Sequence, residues 1–304
     1  MEIVEINGAK LYKWKVGPSS FLANPCEGAR LMNWYISMAD GMTRDIIYWP
    51  ENAPYTGAKF GEVMGGNPIL FPFCGANYAN GKKGFWKSPE GEILPMKMHG
   101  YAIDGNFELV QSYDNGFISR FLPSRDAAEA YPYSYDFFVK YRFSDLSLSC
   151  ELNLVNNGSV KIPWGAGIHP YFTMPWNAGA SRRDYRIIHD AKKACNILED
   201  GSFIPAGVEK NCFSDPEICN RIHTNLKTGI IKFGPKSGEE DITVKFGGGG
   251  KPDVGNCFVT WSKSEQEPYY CVEPWMSLPN SASEPKHFVE PRSQKSFWVE
   301  ISLI

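Results

Sequence analysis

The run FFVKYRFSDLSLSCELNL, residues 137–154, decides the fold class. Its apolar residues recur at every second position: Phe137, Val139, Tyr141 and Phe143, then Leu146, Leu148, Cys150, Leu152 and Leu154. Ser147, Ser149, Glu151 and Asn153 fill the intervening places. Successive side chains on a strand point to opposite faces, so each half of the run reads as a half-buried β-strand. ITVKF (242–246) and FWVEISL (297–303) repeat the pattern. Between Phe107 and Leu122, two further alternating runs flank YDNGF, whose Asn and Gly suit a hairpin turn.

Helical signals are few. SRDAAEA (124–130) is predicted to make one or two turns before Pro132 stops it. The 29 glycines and 22 prolines punctuate the chain as expected for many strands joined by turns, which favours an all-β sandwich or barrel over a βαβ fold. There is no linker-like shift in composition and no fixed-period repeat, so a single domain over residues 1–304 is expected.

Composition narrows the function classes. With 43% hydrophobic and 21% charged residues, the chain fits a soluble globular protein. A formal charge of −3 without a basic stripe argues against a nucleic-acid partner. The basic clusters Lys82–Lys83 with Lys87, and Arg182–Arg183, read as solvated loop charges. MEIVEING at the start lacks the basic and apolar regions of a secretory signal, and no apolar run is long enough for a membrane span. Cysteines 26, 74, 150, 195, 212, 219, 257 and 271 include no C-x-x-C pair, which suits reduced thiols in a cytoplasmic protein. The NGS at 157–159 then reads as a turn. FGGGGKPD (246–253) is not a phosphate loop, because Pro252, Asp253 and Gly255 follow where a helix would have to begin.

Chemistry-bearing residues gather in three segments. The five histidines, His99, His169, His189, His223 and His287, show no metal-ligand spacing, and no G-x-S-x-G elbow is present. Instead, GGNPILFPFCGANYANGKKGFW (65–86) with MKMHGYAIDG (96–105), WGAGIHPYFTMPW (164–176) and YYCVEPWMSLPNS (269–281) embed ionisable residues among aromatics and glycines. Glu273 stands out, because a carboxylate among such neighbours is costly unless paired or functional.

Together these segments resemble the aldose 1-epimerase (galactose mutarotase-like) family, in its bacterial branch with an E-P-W motif. The resemblance runs over most of the chain, from GAKLYKW through GGNPILFPFCG, HGYA, GIHPYF and CVEPWMSLPNS to VEPRSQKSFWVEISL. It implies an all-β supersandwich with an open sugar cleft, and acid/base catalysis without metal or cofactor. By the family pattern, Glu273 would be the base that takes the anomeric hydroxyl proton. His169 would be the acid that protonates the ring oxygen, and His99 would help hold the sugar. Asn77 and Asn80 fall where substrate-facing polar residues are expected, and Asp215 is the candidate for an additional sugar-contacting carboxylate. Trp164, Tyr171, Phe172, Trp176 and Trp275 could offer flat faces to a pyranose.

Two positions depart from the pattern: Ile103 stands for the arginine of H-G-F-A-R, and Ala76 for another arginine. An isoleucine cannot bind phosphate, which weakens a hexose-6-phosphate reading. The leading expectation is a mutarotase for a free hexose such as glucose or galactose. A phosphorylated- or modified-sugar epimerase and a non-catalytic sugar-binding protein are the alternatives. A sugar is the expected partner, and a monomer or homodimer the expected state. Mutual attraction between His169 and Glu273 would raise the first pKa and lower the second, while burial would do the reverse.

Overall fold

A computed structural model describes residues 1–39, 41–207, 212–281 and 287–304. Two large antiparallel sheets carry the chain. One has 13 strands and runs from Glu2–Ile6 at one edge, through Arg30–Ser37, Tyr171–Thr173, Tyr269–Trp275, Cys257–Trp261 and Arg221–Thr224, to Phe203–Ala206 at the other. The second has eight strands, among them Tyr135–Phe143, Ser147–Asn156 and Gln294–Leu303 at its centre.

The deciding stretch forms the hairpin its periodicity predicts. Phe137 pairs with Leu154, Val139 with Leu152, Tyr141 with Cys150 and Phe143 with Leu148, and all eight side chains are buried on one face. Directly opposed residues share a face, so the two apolar stripes fuse into one. Leu146 is the exception: it precedes the Ser147–Asn156 strand and is exposed. Asn153 lies on the polar stripe but is buried, its amide donating to Lys295 O and Ser296 Oγ of the next strand.

This stripe packs against the larger sheet. Phe143 stacks on Phe21 with ring centroids 4.2 Å apart, and Trp14 on Phe117 at 5.3 Å. The YDNGF hairpin forms with Tyr113 paired to Gly116. Glycine is required there, because a Cβ would lie 2.1 Å from Tyr141 O. The helix appears as Arg125–Ala130, with Ser124 Oγ accepting from Ala127 N as its cap. After the strand Ile242–Phe246, residues 247–253 form a turn-rich loop without a helix. One surface assignment fails. Arg182 is buried, because its guanidinium reaches Ser262 Oγ and the carbonyls of Glu267 and Tyr269. No helix among the described residues is long and apolar enough to cross a membrane.

Candidate active site

The site is built on the Tyr269–Trp275 strand, which is buried along its whole length. Alternation splits it: Tyr270 and Val272 enter the core between the sheets, while Cys271, Glu273 and Trp275 face the other way. Its neighbours fix what surrounds Glu273. Tyr171 pairs with Cys271 and Gly167 with Trp275, so the antiparallel register sets His169 opposite Glu273. Pro170, which has no backbone N–H, interrupts the ladder between those two pairings. On the other side Val259 pairs with Glu273 and Ile222 with Val259. One row across the sheet therefore reads His169, Glu273, Val259, Ile222.

His169 Nε2 lies 3.3 Å from Glu273 Oε1. Glu273 is 1% exposed and His169 8%, yet both line a cleft of about 590 Å³. Tyr171 stacks on His169 at 4.8 Å, and His99 meets both His169 and Trp275 edge-on, at 5.5 and 5.8 Å. His99 Nδ1 accepts from Gly75 N at 3.2 Å, which leaves the proton of a neutral ring on Nε2.

Burial dominates the electrostatics. It pushes the Glu273 carboxyl well above its usual range, with the Trp275 indole pulling weakly the other way without completing a hydrogen bond. Burial likewise holds His169 well below an ordinary histidine, helped by the neighbouring His99 and by Arg30. His99 is lowered to about 4, also by burial. Of the two opposing influences on the pair, desolvation prevails. Glu273 Oε2 and His169 Nδ1 have no hydrogen-bond partner among the described residues.

The other expected site residues divide. His99, Tyr171 and Trp275 line the cleft. Asp215 does not: it caps the short turn Pro216–Ile218 by accepting from Glu217 N, so its carboxylate is used locally. Asn80 is exposed at the tip of the Tyr78–Lys83 hairpin, where its φ of 51° suits the turn. Asn77 is wholly buried and does not itself line the cleft, although its neighbours Ala76 and Tyr78 do. Trp164 and Phe172 are core residues, and Trp176 packs on the core while donating to Glu240. The carboxylates that do line the cleft beside Glu273 are the exposed Glu62 and Glu199.

Two features escaped sequence reading. Trp261, opposite Cys271, supplies an edge-on ring 5.7 Å from His169. Arg30, fully buried between Trp49 and Phe60, donates to the carbonyls of Phe60, Val63 and Gly65. It pins the 60–66 segment, and that segment's continuation carries the site. Gly66 O accepts from Tyr171 N at 2.9 Å, and Pro68 O from His169 N at 3.0 Å.

Gly100 holds His99 in place. The turn has φ of 64° at His99 and 79° at Gly100, and a Cβ at Gly100 would stand 2.0 Å from Phe71 O. Gly100→Ala is expected to cost about 2–4 kcal/mol of stability, from backbone strain plus overpacking. Urea unfolding measures this, and a midpoint equal to wild type would refute it.

A two-sheet all-β sandwich with a buried histidine–glutamate pair lining a cleft matches the galactose mutarotase-like architecture. The solved structures agree. The Slr1438 protein of Synechocystis sp. PCC 6803 superimposes with a TM-score of 0.78 at 21% identity, over 100% of this chain and 99% of that one. A galactose mutarotase-like protein from Clostridium acetobutylicum gives 0.78 at 15% identity, over 100% and 98%. The galactose mutarotase related enzyme of Lactobacillus acidophilus gives 0.76 at 16%, over 97% of each chain. The chain belongs to the aldose 1-epimerase family, whose model matches residues 25–223, a span that includes His99 and His169 and stops short of Glu273. It is also 24% identical to the chromosomal LacX protein of Lactococcus lactis subsp. lactis over 233 residues, 71% of this chain and 75% of that protein.

Proposed function

We propose that this protein interconverts the α and β anomers of a free, unphosphorylated aldose, with Glu273 as base and His169 as acid. The observation that carries the reading is the 3.3 Å His169–Glu273 pair, buried yet facing the cleft. Ring opening removes the proton from the anomeric hydroxyl and adds one to the ring oxygen. With the pair in its ionic form, Glu273 accepts the first proton and His169 Nε2 gives the second. The ring C–O bond breaks as the carbonyl forms. Rotation of the carbonyl presents its other face, and the reverse transfers close the ring and restore the pair.

Burial favours the form present after opening, protonated Glu273 beside neutral His169, and their mutual attraction favours the ionic form that starts the cycle. Both forms hold one proton, so the pair titrates as a unit. The acid limb of kcat/KM is therefore expected to fall below the ordinary histidine value of about 6.5, and the alkaline limb well above the ordinary glutamate value of about 4.3. An acid limb at or above about 6.5, or an alkaline limb at or below about 4.3, would contradict it.

Charge around the cleft favours a free sugar over a sugar phosphate. Lys83 is the one cation among the described lining residues, against Glu62 and Glu199. Lys97 pairs instead with Asp104 at 3.7 Å. Polarimetry of freshly dissolved α-D-glucose and α-D-galactose tests the function: acceleration over buffer is expected. Saturable sugar binding with no acceleration of any aldose would replace it with the binding-protein reading.

A further inference from the structure

The cleft above the acid/base pair has an aliphatic belt supplied by separate parts of the chain. Met64 comes from the segment pinned by Arg30. Met98 and Ile103 flank the His99 turn, and Leu198 tips the Lys193–Ile197 strand. Ile222 and Val259 extend the row that begins at His169 and Glu273. Met98 is 58% exposed and Leu198 42%. Single exposed apolar residues are ordinary, but six aliphatic side chains converging on one concavity mark a surface built to meet apolar matter.

The polar lining is arranged differently. His99, His169, Tyr171, Glu273 and Trp275 gather around the reacting centre, whereas Glu62, Lys83, Glu199 and Asn220 are exposed, where water competes for them. Ile222 and Val259 are buried and can neither donate nor accept. A sugar hydroxyl pressed on this belt gives up water without a replacement partner, whereas a methyl group gains by burial. Mutarotation requires a free anomeric hydroxyl, so the apolar group must lie elsewhere on the ring.

We infer that the cleft selects 6-deoxyaldoses, pyranoses with a methyl group in place of the exocyclic hydroxymethyl. The inference rests on the proposed function for the chemistry and on the aliphatic belt for the selectivity.

D-Galactose and D-fucose (6-deoxy-D-galactose) differ by that one hydroxyl and make the test. Wild-type kcat/KM for anomer equilibration is expected to be about 10–100-fold higher for D-fucose, since an apolar site disfavours an added hydroxyl only to this extent. Ile103→Gln, which adds a polar group to the belt, is expected to bring the ratio toward one, with its fold checked by the unfolding midpoint. Binding is followed in parallel by fluorescence of the cleft residues Trp261 and Trp275. A ratio at or below one in wild type, with both sugars turned over, overturns the selectivity and leaves the epimerase reading intact. No turnover of either sugar, with D-fucose still bound at least tenfold more tightly, overturns the epimerase reading and sustains the selectivity. No turnover and equal or absent binding overturns both.

Discussion

Glu273→Gln lowers kcat for anomer equilibration by about 10²–10⁴, the contribution of a positioned general base, while KM changes little. Glutamine keeps the shape of the side chain and removes its proton chemistry. The same variant is expected to be more stable than wild type. Between the unfolded carboxyl value of about 4.3 and the raised native one, native Glu273 keeps a proton that the unfolded chain has released. Wild-type stability therefore falls as pH rises through that window. A glutamine does not ionise, so the stability gain of the variant is present at about pH 8 and shrinks as pH approaches about 4. His169 contributes in the opposite sense below about pH 6.5 and titrates together with Glu273, so the comparison isolates Glu273 above that pH. Urea unfolding across pH reads this out. A variant less stable than wild type at every pH would show that Glu273 is held ionised by a partner, contrary to its burial.

Arg30→Ala has the largest expected effect on stability. It deletes a guanidinium packed between Trp49 and Phe60 and strands the carbonyls of Phe60, Val63 and Gly65. Lost packing and unpaired buried carbonyls together are expected to cost about 3–5 kcal/mol, read as a lower urea midpoint at unchanged m-value. Burial already lowers the Arg30 pKa to about 10, so part of the charge's own desolvation cost is relieved by the substitution. Arg30→Lys keeps a charge but loses the planar fork, and is expected to recover stability only in part. A variant with wild-type stability would show that the 60–66 segment holds itself.

How far the sequence could be read depends on the range of the interaction. The strands Tyr135–Phe143 and Ser147–Asn156 were legible because side-chain alternation is local and one face of each strand is buried. The histidine and the glutamate of the site were legible from their motifs. The third carboxylate was not: Asp215 satisfies a turn two residues away, while Glu62 reaches the cleft from the short helical turn Phe60–Glu62 and Glu199 from a loop, neither with a local signal. Arg182 misread as a surface charge for the same reason, since its partners lie about 80 residues along the chain.

By itself, the sequence determined the all-β class, the strand periodicity and the family motifs that bring His169 and Glu273 into view. Only the tertiary structure decided that these two stand 3.3 Å apart, because that distance comes from cross-strand register between segments a hundred residues apart. It also set the direction of the two pKa shifts. Attraction and desolvation pull the pair in opposite directions, and their balance depends on how much water the assembled sheets leave at the site. The aliphatic belt likewise exists only once Met64, Met98, Ile103, Leu198, Ile222 and Val259 are folded onto one cleft, since no local pattern in the chain links them.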